Sequence, residues 1–236
     1  MSVFRAVSFL LPKYCVRNDY KMIKNKNNTT KLHVVLCAPK KTGKTTLIRR
    51  IIQEAEAPAI GSPMPVYGFL TRRSADSGGI HRIYMFPAGL GQTDDIPADA
   101  RYLGSTCGRV RDVCSETFES YGTALIRSAR PGGLLIMDEI GHMEKDAPLF
   151  LRTIFEALDG DIPILASVRY TASGSEFSDP ANQAGSIDYL DRIKHHPRVR
   201  LYMLTGENRE GVYTEVRNHF FGGIADRKEE RDHEPV

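Results

Sequence analysis

The sequence has few cysteines and no long apolar run, and both absences exclude classes of protein. No stretch approaches the roughly 20 apolar residues that a helix needs to cross a bilayer, so the sequence predicts no membrane span. The four cysteines form no CxxC pair and no His/Cys cluster with zinc-ligand spacing. This argues against a zinc site and favours a reduced, intracellular compartment. We therefore expect a cytoplasmic protein.

The sequence also lacks a strong excess of either charge. The net charge is +3, but residues 1–31 carry seven Lys or Arg and one acid, so the rest of the chain is slightly acidic. An acidic body excludes a general electrostatic footprint for nucleic acid. Three interpretations of the basic segment 1–30 remain open: an organelle-targeting segment, an arm that contacts nucleic acid or acidic lipid, and a flexible extension without a role.

From Leu32 onward the chain alternates apolar runs with helical patterns, which predicts βα units on a parallel sheet. Val66–Arg73 and Ile80–Pro87 flank a turn-rich cluster and predict a β-hairpin. We predict one α/β domain over residues 31–220, with a mostly parallel sheet, helices on both faces and a hairpin insertion. The end of the chain, "DRKEERDHEPV", is a charge run, and we expect residues 221–236 to form a charged, disordered tail.

The elements of this domain can be placed along the chain. Four apolar runs predict buried strands, and these are Leu32–Cys37, the run that begins at Leu134, Ile162–Val168 and Val199–Thr205. One helix is predicted from a face formed by Val113, Phe118, Tyr121 and Leu125. Another is predicted with Asp146 as its N-cap and Gly160 just past its end. Thr171–Ser186 is too long for an ordinary connection, so we expect a mobile lid or a disordered segment.

The stretch "LHVVLCAPKKTGKTTLIRRI" joins a buried strand to an amphipathic helix through a phosphate-loop (P-loop, Walker A) pattern. Gly43 allows the backbone to curl so that its N–H groups point at phosphate oxygens. Lys44 supplies a cation for the β- and γ-phosphates, and the Thr45 hydroxyl reaches Mg²⁺. The alternative is a lysine-rich surface turn. The predicted nucleotide-binding residues are Ala38, Pro39, Lys40, Lys41, Thr42, Gly43, Lys44, Thr45 and Thr46.

Two adjacent carboxylates follow the apolar run that begins at Leu134. Asp138 lies where that strand ends, at the edge of the sheet where open α/β folds bind ligands. It is the predicted Mg²⁺-side carboxylate of a Walker B motif. Glu139 can take a proton from a water directed at the γ-phosphate, which is hydrolysis. The alternative for Glu139 is a capping or surface acid. A further strand is expected between the phosphate-loop strand and the Asp138 strand.

Several segments together resemble a known family. "APKKTGKTTLI", "YGFLTRR", "CGRVRDV…FE", "LLIMDEIGHMEKDAPLF", "ILASV" and "LYMLTGENREGVYTEV" occur in the order seen in the small archaeal and bacterial nucleoside-triphosphatases, a family that includes the vertebrate cancer-related nucleoside-triphosphatases. This resemblance implies a P-loop NTPase domain related to the RecA-like fold. It also implies slow, Mg²⁺-dependent hydrolysis of several nucleoside triphosphates. Carried over residue by residue, Gly43, Lys44 and Thr45 bind phosphate and metal, Asp138 lies on the metal side, and Glu139 is the base.

The chain departs from the family pattern at two positions. Ala38 stands where the phosphate loop usually begins with Gly. This departure bears only on how the backbone of the loop curls. His142 stands where the family typically has Lys. If that lysine contacts phosphate, His142 can replace it only when protonated, and activity should then fall above neutral pH. The alternative, which we favour, is that His142 only forms the entry to the next helix.

Hydrolysis also needs positive charge on the transferring phosphoryl group beyond that of Lys44. The candidates are Arg72, Arg73, Arg109 and Arg209. We select Arg109 and Arg209 as catalytic arginines because both lie inside the resembling segments. An arginine that acts across a subunit contact is a further alternative.

The sequence therefore predicts a nucleoside-triphosphatase that acts on ATP, GTP and others. One alternative is a kinase for a nucleotide or small metabolite, with Thr171–Ser186 as its lid, although that segment has no Arg or Lys to hold phosphates. The other is a nucleotide-dependent switch that binds RNA, DNA or a protein through its basic leader. The expected partner is the nucleotide, without a membrane, and the chain is expected to be a monomer or a weak homo-oligomer.

Overall fold

The computed structural model describes residues 31–57, 63–74, 77–90, 94–107, 110–170 and 183–231. The basic leader 1–30, Arg109 and residues 232–236 lie outside these ranges, as do residues 171–182 of the predicted lid. Residues 183–186 of that segment begin a helix. No helix within the described ranges has the length and apolar character that crossing a membrane requires.

A sheet of eight strands forms the centre of the molecule, in the order β5-β4-β3-β2-β6-β7-β1-β8. The strands are β1 His33–Ala38, β2 Val66–Arg73, β3 Ile80–Pro87, β4 Arg101–Cys107, β5 Val110–Val113, β6 Leu134–Ile140, β7 Ile164–Arg169 and β8 Val199–Met203. The strands β2, β6, β7, β1 and β8 pair in parallel, whereas β3, β4 and β5 extend the sheet in antiparallel pairs. The predicted mostly parallel sheet is confirmed.

Strand β7 separates the strand of the phosphate loop from the strand of the two acids. It pairs with β1 on one side and with β6 on the other. An intervening strand is therefore confirmed, and it comes from a part of the chain that follows both of its neighbours. Because all three strands are parallel, their carboxyl ends lie at the same edge of the sheet.

The antiparallel part of the sheet is larger than the sequence predicts. The hairpin of β2 and β3 is confirmed, with Phe69 opposite Pro87. Strands β4 and β5 continue it, and neither strand is predicted from the sequence. Val113 belongs to β5, so its assignment to a helix face is wrong.

Helices cover both faces of the sheet, as predicted. Within the described ranges they are α1 Lys44–Glu56, α2 Ser115–Thr117, α3 Thr123–Arg127, α4 Pro148–Asp159, α5 Gln183–Lys194 and α6 Arg209–Arg231, and a π-helical segment Phe118–Gly122 joins α2 to α3. Buried side chains of α3, α4 and α5 form one core with Val35 and Cys37. Buried side chains of α1 and α6 form a second core with Val34 and Leu36 on the opposite face.

Strand β1 and helix α1 fix the position of the phosphate loop. All six residues of β1 are buried, as expected for a central strand that is covered on both faces. Leu47, Ile48, Ile51 and Ile52 recur at helical spacing and are fully or almost fully buried. Each such side chain contributes about 1.5–3 kcal/mol to folding. The loop is therefore held between two well-packed elements.

One helix cap differs from its predicted position. The N-cap of α4 is Ala147 rather than Asp146, while Gly160 caps its end as predicted, and Pro148 is the first residue of the helix. Helix α6 spans Arg209–Arg231 and so passes residue 220, the predicted end of the domain.

Candidate functional site

The loop between β1 and α1 has the curl that the phosphate-loop pattern requires. Gly43 is the N-cap of α1 and has a left-handed backbone with φ 93°, and Lys41 has φ 64°. The Thr42 hydroxyl donates to the Pro39 carbonyl at 2.9 Å and tightens the turn. A Cβ on residue 43 would also lie 3.0 Å from Cδ of Arg209. Glycine is therefore needed for this backbone conformation, and the Arg209 side chain packs closely against it.

The Lys44 ammonium lies at the centre of this loop. The residue is only 7% exposed. Its Nζ donates to the Ala38 carbonyl at 2.8 Å and to the Pro39 carbonyl at 3.3 Å. The same Nζ is 3.2 Å from Oε2 of Glu139. The tips of β1 and β6 therefore meet in one site.

The carboxylate of Asp138, on β6, is 1% exposed. Its Oδ1 accepts the Ser167 hydroxyl, and Thr45 is a second hydrogen-bond partner of this carboxylate. Its Oδ2 is buried and has no hydrogen-bond partner in the described part of the chain. Burial raises the pKa of Asp138, and the hydrogen bonds from Ser167 and Thr45 oppose that rise.

Both carboxylate oxygens of Glu139 are paired with cations. Oε1 accepts Nε of Arg169 at 2.9 Å and is also 2.9 Å from Nη2 of the same side chain. Oε2 faces Lys44. The backbone N–H of Glu139 donates to Oγ1 of Thr71 on β2 at 3.2 Å. Residues from three elements, β7, α1 and β2, therefore fix the position of this glutamate.

Thr45 and Asp138 are the residues that fit a magnesium ion. The described residues contain no group of three or more His, Cys, Asp or Glu side chains that could hold a metal. Mg²⁺ usually needs no such cage, because one or two carboxylates and the substrate phosphates are sufficient. The unpaired Oδ2 of Asp138 is the type of oxygen that Mg²⁺ prefers, and the Thr45 hydroxyl is its neighbour.

These residues line a cleft of about 670 Å³. Two carboxylates line it, those of Asp138 and Glu139. Its basic side chains in the described ranges are Lys40, Lys41, Lys44, Arg72, Arg73, Arg111, Arg169 and Arg209. Burial and the neighbouring Arg169 lower the pKa of Lys40, so the cations are crowded. This excess of positive charge suits a polyanionic ligand.

Most of the predicted site residues come together in this cleft. Residues 40–46 line it, together with Asp138, Glu139 and Arg209. Ala38 and Pro39 contribute only the carbonyls that hold Lys44. Ala38 does not prevent the curl, because its side chain is buried at the end of β1.

Of the other three candidate arginines, two line the cleft and one lies outside the described residues. Arg72 and Arg73 also line the cleft. The Arg72 guanidinium donates to the carbonyl of Asp95, and Nη2 of Arg73 lies 3.4 Å from Oγ1 of Thr106. The predicted catalytic Arg109 lies outside the described residues.

His142 is not among the described residues that line the cleft. It occupies the N-cap position of a short 3₁₀ helix, Met143–Asp146, which agrees with the favoured interpretation that it forms a helix entry. Burial lowers the pKa of His142, and the nearby Arg169 and Arg111 lower it further. The imidazole is therefore neutral at neutral pH.

Four residues of the site are not predicted from the sequence, and these are Arg169, Ser167, Thr71 and Arg111. Ser167 and Arg169 follow the apolar start of β7, and a polar residue at the end of a parallel strand is the signal that identifies Asp138. Thr71 lies on β2, which pairs in parallel with β6, and Arg111 lies on β5. Both residues reach the site only through the order of strands in the folded sheet.

Comparison with known proteins gives a consistent result. A family model described as NTPase matches residues 33–217. The chain is similar to nucleoside-triphosphatase THEP1 of Thermofilum pendens, with 32% identity over 96 residues, which is 40% of this chain and 46% of that protein. It is also similar to nucleoside-triphosphatase THEP1 of Methanocaldococcus jannaschii, with 25% identity over 77% of this chain and 93% of that protein.

Two solved structures share the fold. The crystal structure of THEP1 from the hyperthermophile Aquifex aeolicus matches with a TM-score of 0.56 and 18% identity, over 78% of this chain and 96% of that one. The solution structure of a human cancer-related nucleoside triphosphatase matches with a TM-score of 0.51 and 22% identity, over 78% and 94% of the two chains. The predicted P-loop NTPase fold is therefore confirmed.

Proposed function

The chain belongs to the NTPase family of enzymes, and on this premise we propose that it hydrolyses nucleoside triphosphates, ATP and GTP among them, to the diphosphate and phosphate. The two THEP1 relatives carry the name nucleoside-triphosphatase. The observation that carries the proposal is the meeting of Lys44, Asp138 and Glu139 in one cationic cleft.

The phosphate loop binds the triphosphate. The backbone N–H groups at the start of α1 and the positive end of the helix dipole face the phosphates. The Lys44 ammonium moves from Glu139 to the β- and γ-phosphate oxygens, which are stronger partners for its charge. Arg209, which lies against Gly43, adds positive charge on the same side.

Thr45 and Asp138 would hold the magnesium ion of the nucleotide, and a bound ion would neutralise negative charge on the phosphates. Ser167 donates to Oδ1 of Asp138 and leaves Oδ2 free for this purpose. A bound ion would give the second oxygen of this buried carboxylate a partner.

Glu139 acts as the general base. Its carboxylate accepts a proton from water while the water oxygen attacks the γ-phosphorus. The bond from phosphorus to the bridging oxygen breaks, and the nucleoside diphosphate leaves with that electron pair. The proton on Glu139 then passes to solvent or to the released phosphate, which restores the carboxylate.

Replacement of Glu139 by Gln tests this assignment. Glu139→Gln keeps the size of the side chain but removes the base, so kcat should fall about 10²- to 10⁴-fold while nucleotide still binds. Phosphate release is measured against a panel of nucleotides with Mg²⁺, and Lys44→Ala serves as the blank. Glu116→Gln, an exposed acid on α2, is the matched control and should leave the rate unchanged. A Glu139→Gln enzyme as fast as the wild type would refute the role of Glu139.

A further inference from the structure

Arg169 is the last residue of β7, the strand between the phosphate loop and the two acids. In the parallel register it lies opposite Ala38 of β1, where the phosphate loop begins. The N–H of the next residue, Tyr170, donates to the Ala38 carbonyl at 3.4 Å. The backbone of Arg169 is therefore tied to the loop that binds phosphate.

The side chain of Arg169 points into the cleft and is only 30% exposed. A Cβ on residue 141 would lie 3.8 Å from its Cζ, so the guanidinium rests against the turn that follows β6. Its Nε and Nη2 both contact Oε1 of Glu139 at 2.9 Å. These contacts hold one side of the glutamate in a fixed orientation.

Glu139 can act as a base only if one of its oxygens is available to water. Oε1 is paired with Arg169 and Oε2 with Lys44. Of these two cations, Lys44 belongs to the loop that binds the triphosphate, so the arrival of phosphate draws it away from Oε2. Arg169 belongs to β7 and keeps its hold on Oε1.

We propose that Arg169 is a positioning residue for hydrolysis: it holds Glu139 by Oε1, so that Oε2 faces the attacking water once the triphosphate has taken Lys44. The inference rests on the proposed function, because it gives Glu139 the role of base. It adds a second role for the triphosphate, which makes the base available by removing its lysine partner. Water is then activated only when substrate is in place.

A double-mutant cycle separates this role from direct contact with phosphate. Because Arg169 acts through Glu139, Arg169→Ala should lower kcat by about 10- to 100-fold and change KM little. In a Glu139→Gln background, Arg169→Ala should lower kcat no further. If the two substitutions lower kcat by the product of their separate factors, Arg169 contacts the phosphates itself and the positioning role is overturned.

Two further variants keep the test independent of folding. Arg169→Lys retains the charge without the planar fork and should recover part of the lost kcat. Arg152→Ala removes an exposed arginine on α4, outside the described cleft lining, and should behave like the wild type. Normal hydrolysis by both Arg169→Ala and the wild type overturns the role of Arg169 alone, whereas a wild type that releases no phosphate overturns the proposed function as well.

Discussion

Glu144 is a buried carboxylic acid in the turn that follows β6. Its Oε2 accepts the N–H of Gly141 at 3.1 Å and so closes the turn. Burial raises its pKa from 4.5 to about 7. The folded protein therefore binds a proton at this site over a pH range in which the unfolded chain has already lost it.

This shift gives the stability of the protein a defined pH dependence. The folded pKa is higher than the unfolded one, so the contribution of Glu144 is complete below pH 4.5 and is lost as the pH rises towards about 7. Glu144→Gln should raise the free energy of unfolding by about 3 kcal/mol at pH 8 and by much less at pH 5. Urea unfolding at both pH values measures the difference.

The Asp146 side chain is 68% exposed, so Asp146→Asn is the control for this prediction. This substitution should change the free energy of unfolding little, and by the same amount at both pH values. A Glu144→Gln protein with the same stability gain at pH 5 and pH 8 would show that the buried carboxyl is not the cause.

The sequence predicts those site residues whose role depends on their neighbours in the chain. Lys44 and Thr45 follow from the loop pattern, and Asp138 follows from the apolar run that precedes it. Arg169 is not predicted because its role depends on the order of strands, and a single sequence does not give that order. Thr71 is not predicted for the same reason, since β2 lies beside β6 only in the folded sheet.

At the level of secondary structure elements, the short turn from β1 into α1 depends most strongly on glycine. An alanine at residue 43 would need the left-handed backbone and would meet Arg209 at 3.0 Å. Gly43→Ala should cost about 1–2 kcal/mol of stability and should also abolish most nucleotide binding, because the loop can no longer curl. Titration with a fluorescent nucleotide measures the affinity.

Gly132 provides a matched control for the backbone effect. It has a similar φ of 84°, and a Cβ there would have no neighbour within 4 Å among the described residues. Gly132→Ala should therefore lose similar stability and keep its affinity for nucleotide. Equal affinities in the two variants would mean that the curl at residue 43 is not needed for binding.

The parallel half of the sheet could be predicted from the sequence, and most of the antiparallel half could not. The strands β1, β6 and β7 are buried on both faces, so each appears as a continuous apolar run. In β4 only Leu103 and Gly104 are buried. A strand with so little apolar surface has no pattern that separates it from a loop. Val113 fits a helical spacing with Phe118, Tyr121 and Leu125, although it lies on β5.

At the scale of the whole molecule, the site joins elements that are far apart in the sequence. A ligand that contacts β1, β6 and α6 together binds the folded state and not the unfolded chain. At 100 times its dissociation constant it adds about 2.7 kcal/mol, which raises Tm by about 5–10 °C for a domain of this size. The measurement is thermal unfolding with ATP and MgCl₂.

The role of the metal is tested in the same assay. With ATP and EDTA the rise in Tm should be smaller, because Asp138 then keeps a buried oxygen without a partner. Lys44→Ala should show little rise under either condition. An equal rise with and without Mg²⁺ would contradict the assignment of Thr45 and Asp138 to the metal.

The place of β7 in the sheet has a consequence for the synthesis of the protein. The phosphate loop and the two acids emerge from the ribosome before residues 164–169, yet these residues form the strand that sets the spacing between them. A nascent chain that stops before Ile164 therefore contains both motifs but lacks β7, the strand that lies between them in the sheet. Activity should arise late in translation, and no fragment from the first two thirds of the chain should hydrolyse nucleotide.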